Sequence, residues 1–180
     1  MGKTHPIINQ SIADWINDQK IFFVSTAPLD EDGWINCSPK GMDSLRVLDE
    51  KTMAYLDLTG SGIETSAHLK ENGRIVLMMC AFAGPPRIMR FHGKGVTHWK
   101  GSPDYDRLIS LFEEYPGARS IIEIDVERIG DSCGYSIPLM NYSGERDALV
   151  KWAEKKGESG IEEYQAKNNA RSIQGLPGVE

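Results

Sequence analysis

Cysteine is scarce in this chain: Cys37, Cys80 and Cys133 are odd in number, far apart, and in no Cys-x-x-Cys or zinc-type spacing. That argues against a disulfide framework and suits a reducing compartment, so a cytoplasmic protein with free thiols is expected. Long apolar runs are missing as well. None approaches the roughly 18 residues of a membrane span, and no basic, apolar leader is read at the start. "MGKTHP" opens like a myristoylation signal but places Pro6 where Ser or Thr is required. Positive charge is not in excess either. Twenty Lys and Arg against 26 Asp and Glu leave a net charge of −6, which gives no general attraction to nucleic acid or to an anionic membrane. Any anionic ligand must therefore be held by a local basic cluster.

What is present suits one globular domain. The 180 residues are 40% hydrophobic and 26% charged, enough to bury a continuous core. Strand-like runs rich in β-branched, aromatic and apolar residues lie at 21–27, 33–41, 52–58, 74–82, 87–99 and 120–129. The first two are joined by "PLDEDG", a turn by its Pro, Asp and Gly. "SIADWINDQ" predicts a short helix capped by Ser11. "SGIETSAHLKEN" predicts a second, and "SPDYDRLISLFEEYPG" a third, with Ser102 as cap and Pro103 in the first helical position. "SGERDALVKWAEKKG" and "SGIEEYQAKNN" add a helical tail, the first capped by Ser143 and ended by Gly157, with "GLPGVE" as a loose end. Strict βαβ alternation is absent. The order predicts a mainly β protein with helices (α+β), an antiparallel barrel rather than a doubly wound sheet. Residues 1–145 are assigned to the barrel, and 146–180 to a helical extension packed on the same domain.

The junction "LTGSGIETSAHLKENGRI" (58–75) carries most of the functional signal. A dinucleotide fingerprint needs a third glycine where Thr65 stands. Ser61 and Glu64 instead spell a capping box. The first helical turn still offers amides and the positive end of the dipole, with the Thr65 and Ser66 hydroxyls beside it. Cations must come from elsewhere. In "INCSPKG", Asn36, Ser38 and Lys40 share one strand face, and Ile35, Cys37 and Pro39 the other. In "PPRIMRFHGKG", Arg90, His92 and Lys94 share a face. His92 and His98 have no recognisable third ligand, so no metal site is expected.

"INCSPKG", "YLDLTGSGIETSAHLKENGRIVLMMCAF", "GPPRIMRFHGKG" and "DSCGYSIPLM", in that order over residues 10–145, resemble the pyridoxamine 5′-phosphate oxidase-related, FMN-binding split-barrel proteins. The resemblance implies a six-stranded antiparallel split β-barrel that dimerises and holds FMN in clefts between protomers. It implies that Asn36, Cys37, Ser38 and Lys40 run along the flavin, Lys40 nearest the cofactor. Leu58 and Thr59 would end the neighbouring strand, Thr65 and Ser66 would lie near the phosphate, and Arg90 in the strand that closes the site. The oxidase's Arg-Lys pair at the helix start and its arginine-containing C-terminal motif are not found here, so the resemblance does not extend to pyridoxamine phosphate itself.

The expected protein is thus a homodimeric FMN flavoprotein, an oxidoreductase exchanging hydride or electrons with an unidentified small molecule, with no nucleic-acid or membrane partner. The cofactor carries the redox chemistry, and no catalytic residue is named. A deazaflavin-dependent reductase, or a flavin- or haem-binding protein without turnover, are the alternatives.

Overall fold

The computed structural model describes residues 2–179. Eight strands form one antiparallel sheet: β1 (Lys3–His5), β2 (Phe22–Thr26), β3 (Asn36–Lys40), β4 (Leu45–Val47), β5 (Thr52–Leu58), β6 (Arg74–Cys80), β7 (Ile88–Trp99) and β8 (Ala118–Ser132). Their order is β3-β2-β6-β7-β8-β5-β4, with β1 on β8. The long β8 is flanked on one edge by β5, over Ala118 to Asp125, and then by β1, over Ile129 to Asp131. Between His92 and Gly93 of β7 the register shifts by one residue, leaving Glu127 of the long β8 unpaired in a β-bulge. The result is a half-barrel, the expected class, with two short strands, β1 and β4, beyond the six expected. Each has three residues, too few for period-two alternation to show in sequence.

Four helices attach to the sheet: α1 (Gln10–Asp18), α2 (Glu64–Asn72), α3 (Pro103–Ile109) and α4 (Ala148–Asn168). Asn9, not Ser11, caps α1, its side chain accepting the Ile12 amide. Ile12 and Ile16 then enter the main core with Val24, Leu77, Met89 and Phe91. A second core lies where α3 packs on the other face of β5 and β8, through Leu56, Tyr105, Leu108 and Ile121. β5 is therefore covered on both faces, and Met53 to Asp57 are all buried. The tail helix begins at Ala148 rather than behind Ser143. Gly157, at φ 67°, breaks it in the left-handed region that glycine tolerates best, as its position in the sequence predicts. "GLPGV" is not loose: Gly178 and Val179 donate backbone hydrogen bonds to Ala170 and Asn169.

Candidate functional site

β3, β5, the start of α2 and the start of β8 meet at one end of the sheet. Ser38 stands opposite Val24, and Lys40 opposite Phe22, both of them core residues. Opposed residues in an antiparallel pair share a face, so the polar side of β3 turns inward. Its apolar side turns out, leaving Ile35 75% exposed. That reverses the usual polar-out alternation. The inward groups are reconciled with burial by one another. Ser38 Oγ donates to Asn36 Oδ1 (3.0 Å), and Asn36 Nδ2 donates to Thr65 Oγ1 (3.0 Å) and Thr26 Oγ1 (3.3 Å). Thr26 Oγ1 is in turn 3.0 Å from His68 Nδ1. Burial holds the His68 imidazole below its usual range, against the pull of Glu64 and Glu71.

The charges centre on Asp57. Lys40 Nζ donates to its Oδ1 (3.0 Å), and Arg119 Nε and Nη2 grip its Oδ2 (2.9 and 2.7 Å). Burial pushes the Asp57 carboxyl up, but Arg119 and Lys40 together outweigh it and bring it to about 2. It stays ionised. Two cations on one carboxylate leave a local surplus of positive charge inside an acidic protein. Beside them the Tyr55 hydroxyl is buried without a well-formed hydrogen bond. Burial first, then the Asp57 charge, raise its pKa well above the usual tyrosine range, so it remains a donor.

α2 opens onto the same place. Its N-cap is Ile63, and no side chain caps it. The expected Ser61–Glu64 box does not form, because Glu64 Oε1 accepts the Ile173 amide (3.2 Å) from the C-terminal tail. Long-range contact overrides a local motif here. The dipole and amides of the first turn are left for another partner. A cleft of about 120 Å³ lies between these groups. A hollow of about 1190 Å³ adjoins it at Lys40, and one of about 550 Å³ adjoins it at Ser66 and Arg119.

Of the residues expected at the site, Asn36, Ser38, Lys40, Leu58, Thr65 and Ser66 line this cleft. Thr59 lies buried beside it, donating to the Gly117 carbonyl. Cys37 is exposed on the outer side of β3. Arg90 is exposed, in the cross-strand row Pro39–Phe23–Met78–Arg90, and donates to Ser132 Oγ (3.1 Å). That row is on the outer face, so the basic set on β7 does not supply the cations of the cleft. Lys94 instead reaches the Asn72 carbonyl at the far end of α2. Arg119 supplies the second cation, and neither it nor Asp57 is singled out by sequence. A lone Asp in the apolar run "TMAYLDL" is the available signal, since a carboxylate buried on both sides demands a cation. Among the described residues no group of three or more His, Cys, Asp or Glu could hold a metal. No helix among them is long and apolar enough to cross a membrane.

Comparison with known proteins gives concordant results. The sequence model of pyridoxamine 5′-phosphate oxidase matches residues 8–133. The pyridoxamine 5′-phosphate oxidase family protein ustO of Aspergillus flavus is 38% identical over 192 residues, covering 96% of this chain and 76% of its own. Among solved structures, HupZ from Group A Streptococcus superposes with a TM-score of 0.51 at 27% identity, over 68% of this chain and 91% of its own. A provisionally named pyridoxamine 5′-phosphate oxidase of Lactobacillus delbrueckii superposes at 0.54 with 17% identity, over 71% and 98%. The latter is a likeness of fold alone.

Proposed function

The chain belongs to the pyridoxamine 5′-phosphate oxidase family, and from that membership and the cleft we propose a homodimeric FMN flavoprotein that exchanges hydride or electrons with a small molecule other than pyridoxamine phosphate. The observation that carries this is the convergence of Lys40 and Arg119 on the uncapped start of α2. Fixed cations and free helix amides are what an organic phosphate needs. The cleft is smaller than the ~300 Å³ of an ordinary small-molecule pocket, so it suits the phosphate end. The ring would use the adjoining apolar wall at Lys40.

In this reading Lys40, Arg119, Thr65, Ser66 and the α2 amides hold the phosphate. Asn36 and Ser38 fix the approach of β3. Leu58 and Thr59 shape the end of β5. The bound flavin supplies the redox chemistry, while the chain orients it. Cys37 and Arg90, on the outer face, would contact only a cofactor shared with a second protomer. Trp34 and Ile35, 66% and 75% exposed, are surface that such a protomer would cover. A cytoplasmic setting fits the free thiols.

The visible spectrum of the purified protein tests the cofactor. The two-banded spectrum of oxidised flavin, present on isolation or restored by added FMN, is the expected result. A Soret band would point to haem, and a protein that ignores FMN refutes the proposal. Bleaching of the flavin by NADH or NADPH on a catalytic timescale separates turnover from storage.

A further inference from the structure

The match to the family's sequence model ends at residue 133, yet the segment 165–179 bonds to α2 and β8 and to residues flanking β5 and β3 around the cleft. Gln165 Nε2 donates to Thr59 Oγ1 (2.7 Å) after β5, and Gln174 Oε1 accepts the Trp34 amide (3.0 Å) ahead of β3. The Ile173 amide draws on the Glu64 carboxylate, the one acid at the helix start that would oppose an anion. At the centre is Asn169, fully inaccessible to solvent. Its Oδ1 accepts from Arg119 Nη1 (2.9 Å), and its Nδ2 donates to the Gly60 carbonyl (3.1 Å). Gly178 crosses so near that a Cβ there would collide with the Asn169 carbonyl and stand 2.8 Å from Ile63, the N-cap of α2. Only glycine lets the tail close this tightly.

We propose that this C-terminal segment backs the anion site from behind the residues that line it, and that Asn169 is a positioning residue which aims Arg119 and so makes the site select ligands bearing a phosphate. The proposal rests on reading the cleft as the phosphate end of a flavin site. A guanidinium has five N–H donors. Asp57 takes one from Nε and one from Nη2, and the Gly62 carbonyl and Asn169 take those of Nη1. One Nη2 donor and the charge remain for a ligand. Without Asn169, Nη1 loses a buried acceptor and the guanidinium can pivot about Asp57. The Gly60 carbonyl loses its donor in the same step, loosening the turn that enters α2. One amide therefore keeps the cation and the helix start in register, without touching the ligand.

Full-length protein and the variants Asn169→Ala and Gly178→Ala are titrated with FMN and with riboflavin, which lacks the phosphate, by flavin fluorescence. Asn169→Ala should cut the preference for FMN over riboflavin about tenfold, with riboflavin affinity held within about twofold. Gly178→Ala, which displaces the tail but keeps the amide, should act in the same direction more weakly. A lowered melting temperature with an unchanged preference makes Asn169 merely structural: the proposal then fails while the FMN reading stands. Thermal stabilisation by inorganic phosphate is the independent readout, expected in wild type and lost in Asn169→Ala. If wild type ignores flavins but shows that Asn169-dependent response to phosphate, FMN binding fails and the positioning role stands. If it responds to neither, both fail. Should Asn169→Ala not fold, Asn169→Ser, too short to reach both partners, is judged by the same criteria.

Discussion

Helices α2 and α3 begin in opposite ways. α3 closes on itself: Ser102 Oγ accepts the Tyr105 amide (3.3 Å), Pro103 removes a donor that would be orphaned, and Asp104 and Asp106 answer the dipole. α2 has no side-chain cap, and its first-turn acid is engaged by the tail. Around it stand Lys40 and Arg119, locked to Asp57. A helix start that satisfies its own amides needs only neighbours in sequence. One that leaves them open, with cations fixed beside it, requires residues from strands and tail that are remote in the chain, and such an arrangement has a use chiefly if something anionic arrives.

The largest expected effect breaks the charged side of this contrast. Asp57→Ala would leave the Arg119 guanidinium buried without its counter-ion, lowering stability to urea by about 3–5 kcal/mol. A loss below ~1 kcal/mol would mean that the guanidinium reaches water. Lys40→Ala tests the ligand directly: FMN binding should weaken by roughly 1.5–3 kcal/mol if the ammonium meets the cofactor. Unchanged affinity in a titration would leave Lys40 as a counter-ion of Asp57 alone.

Acid provides a third test. The Asp57 carboxyl sits near 2 in the fold against 3.8 ordinarily, so the folded state binds its proton later than the unfolded one. Its contribution is present above about pH 4 and is lost as pH falls through about 2, a change of roughly 2 kcal/mol. Asp57→Asn should lack that part of the slope in pH-dependent denaturation. The smallest effects compare the helix starts themselves. Ser102→Ala should cost about 1 kcal/mol of stability with flavin affinity intact. Ser61→Ala should cost under ~0.5 kcal/mol, because Ser61 caps nothing. Equal losses in the two variants would show that the box at α2 forms in solution.

Much of the fold was legible in the chain. "TMAYLDL" is β5 to the residue, and Ser102-Pro103 and Gly157 act where local chemistry places them. Three-residue β1 and β4 were not, since periodicity needs length. At the site, the grouping of Asn36, Ser38 and Lys40 was visible, but not its direction. Which side of a strand is buried depends on what packs there, and on β3 the polar side is the one that found partners in Thr26 and Thr65. Arg90, which lies on the outer face, shows the same limit: a basic residue on a strand has a face but no address.

Sequence by itself determined the six longer strands and the first three helices, the acidic balance that confines anion binding to a local cluster, and the polar stripe of β3. Those depend on residues within a few positions of one another, where backbone geometry and side-chain chemistry act directly. Tertiary structure alone decided that Asp57 would join Lys40 to Arg119, that Glu64 would turn to the tail instead of to Ser61, and that Asn169 would lie against the site. Each is a contact between remote segments. Its strength comes from removal from water, and burial is a property that no residue possesses until the chain has closed around it.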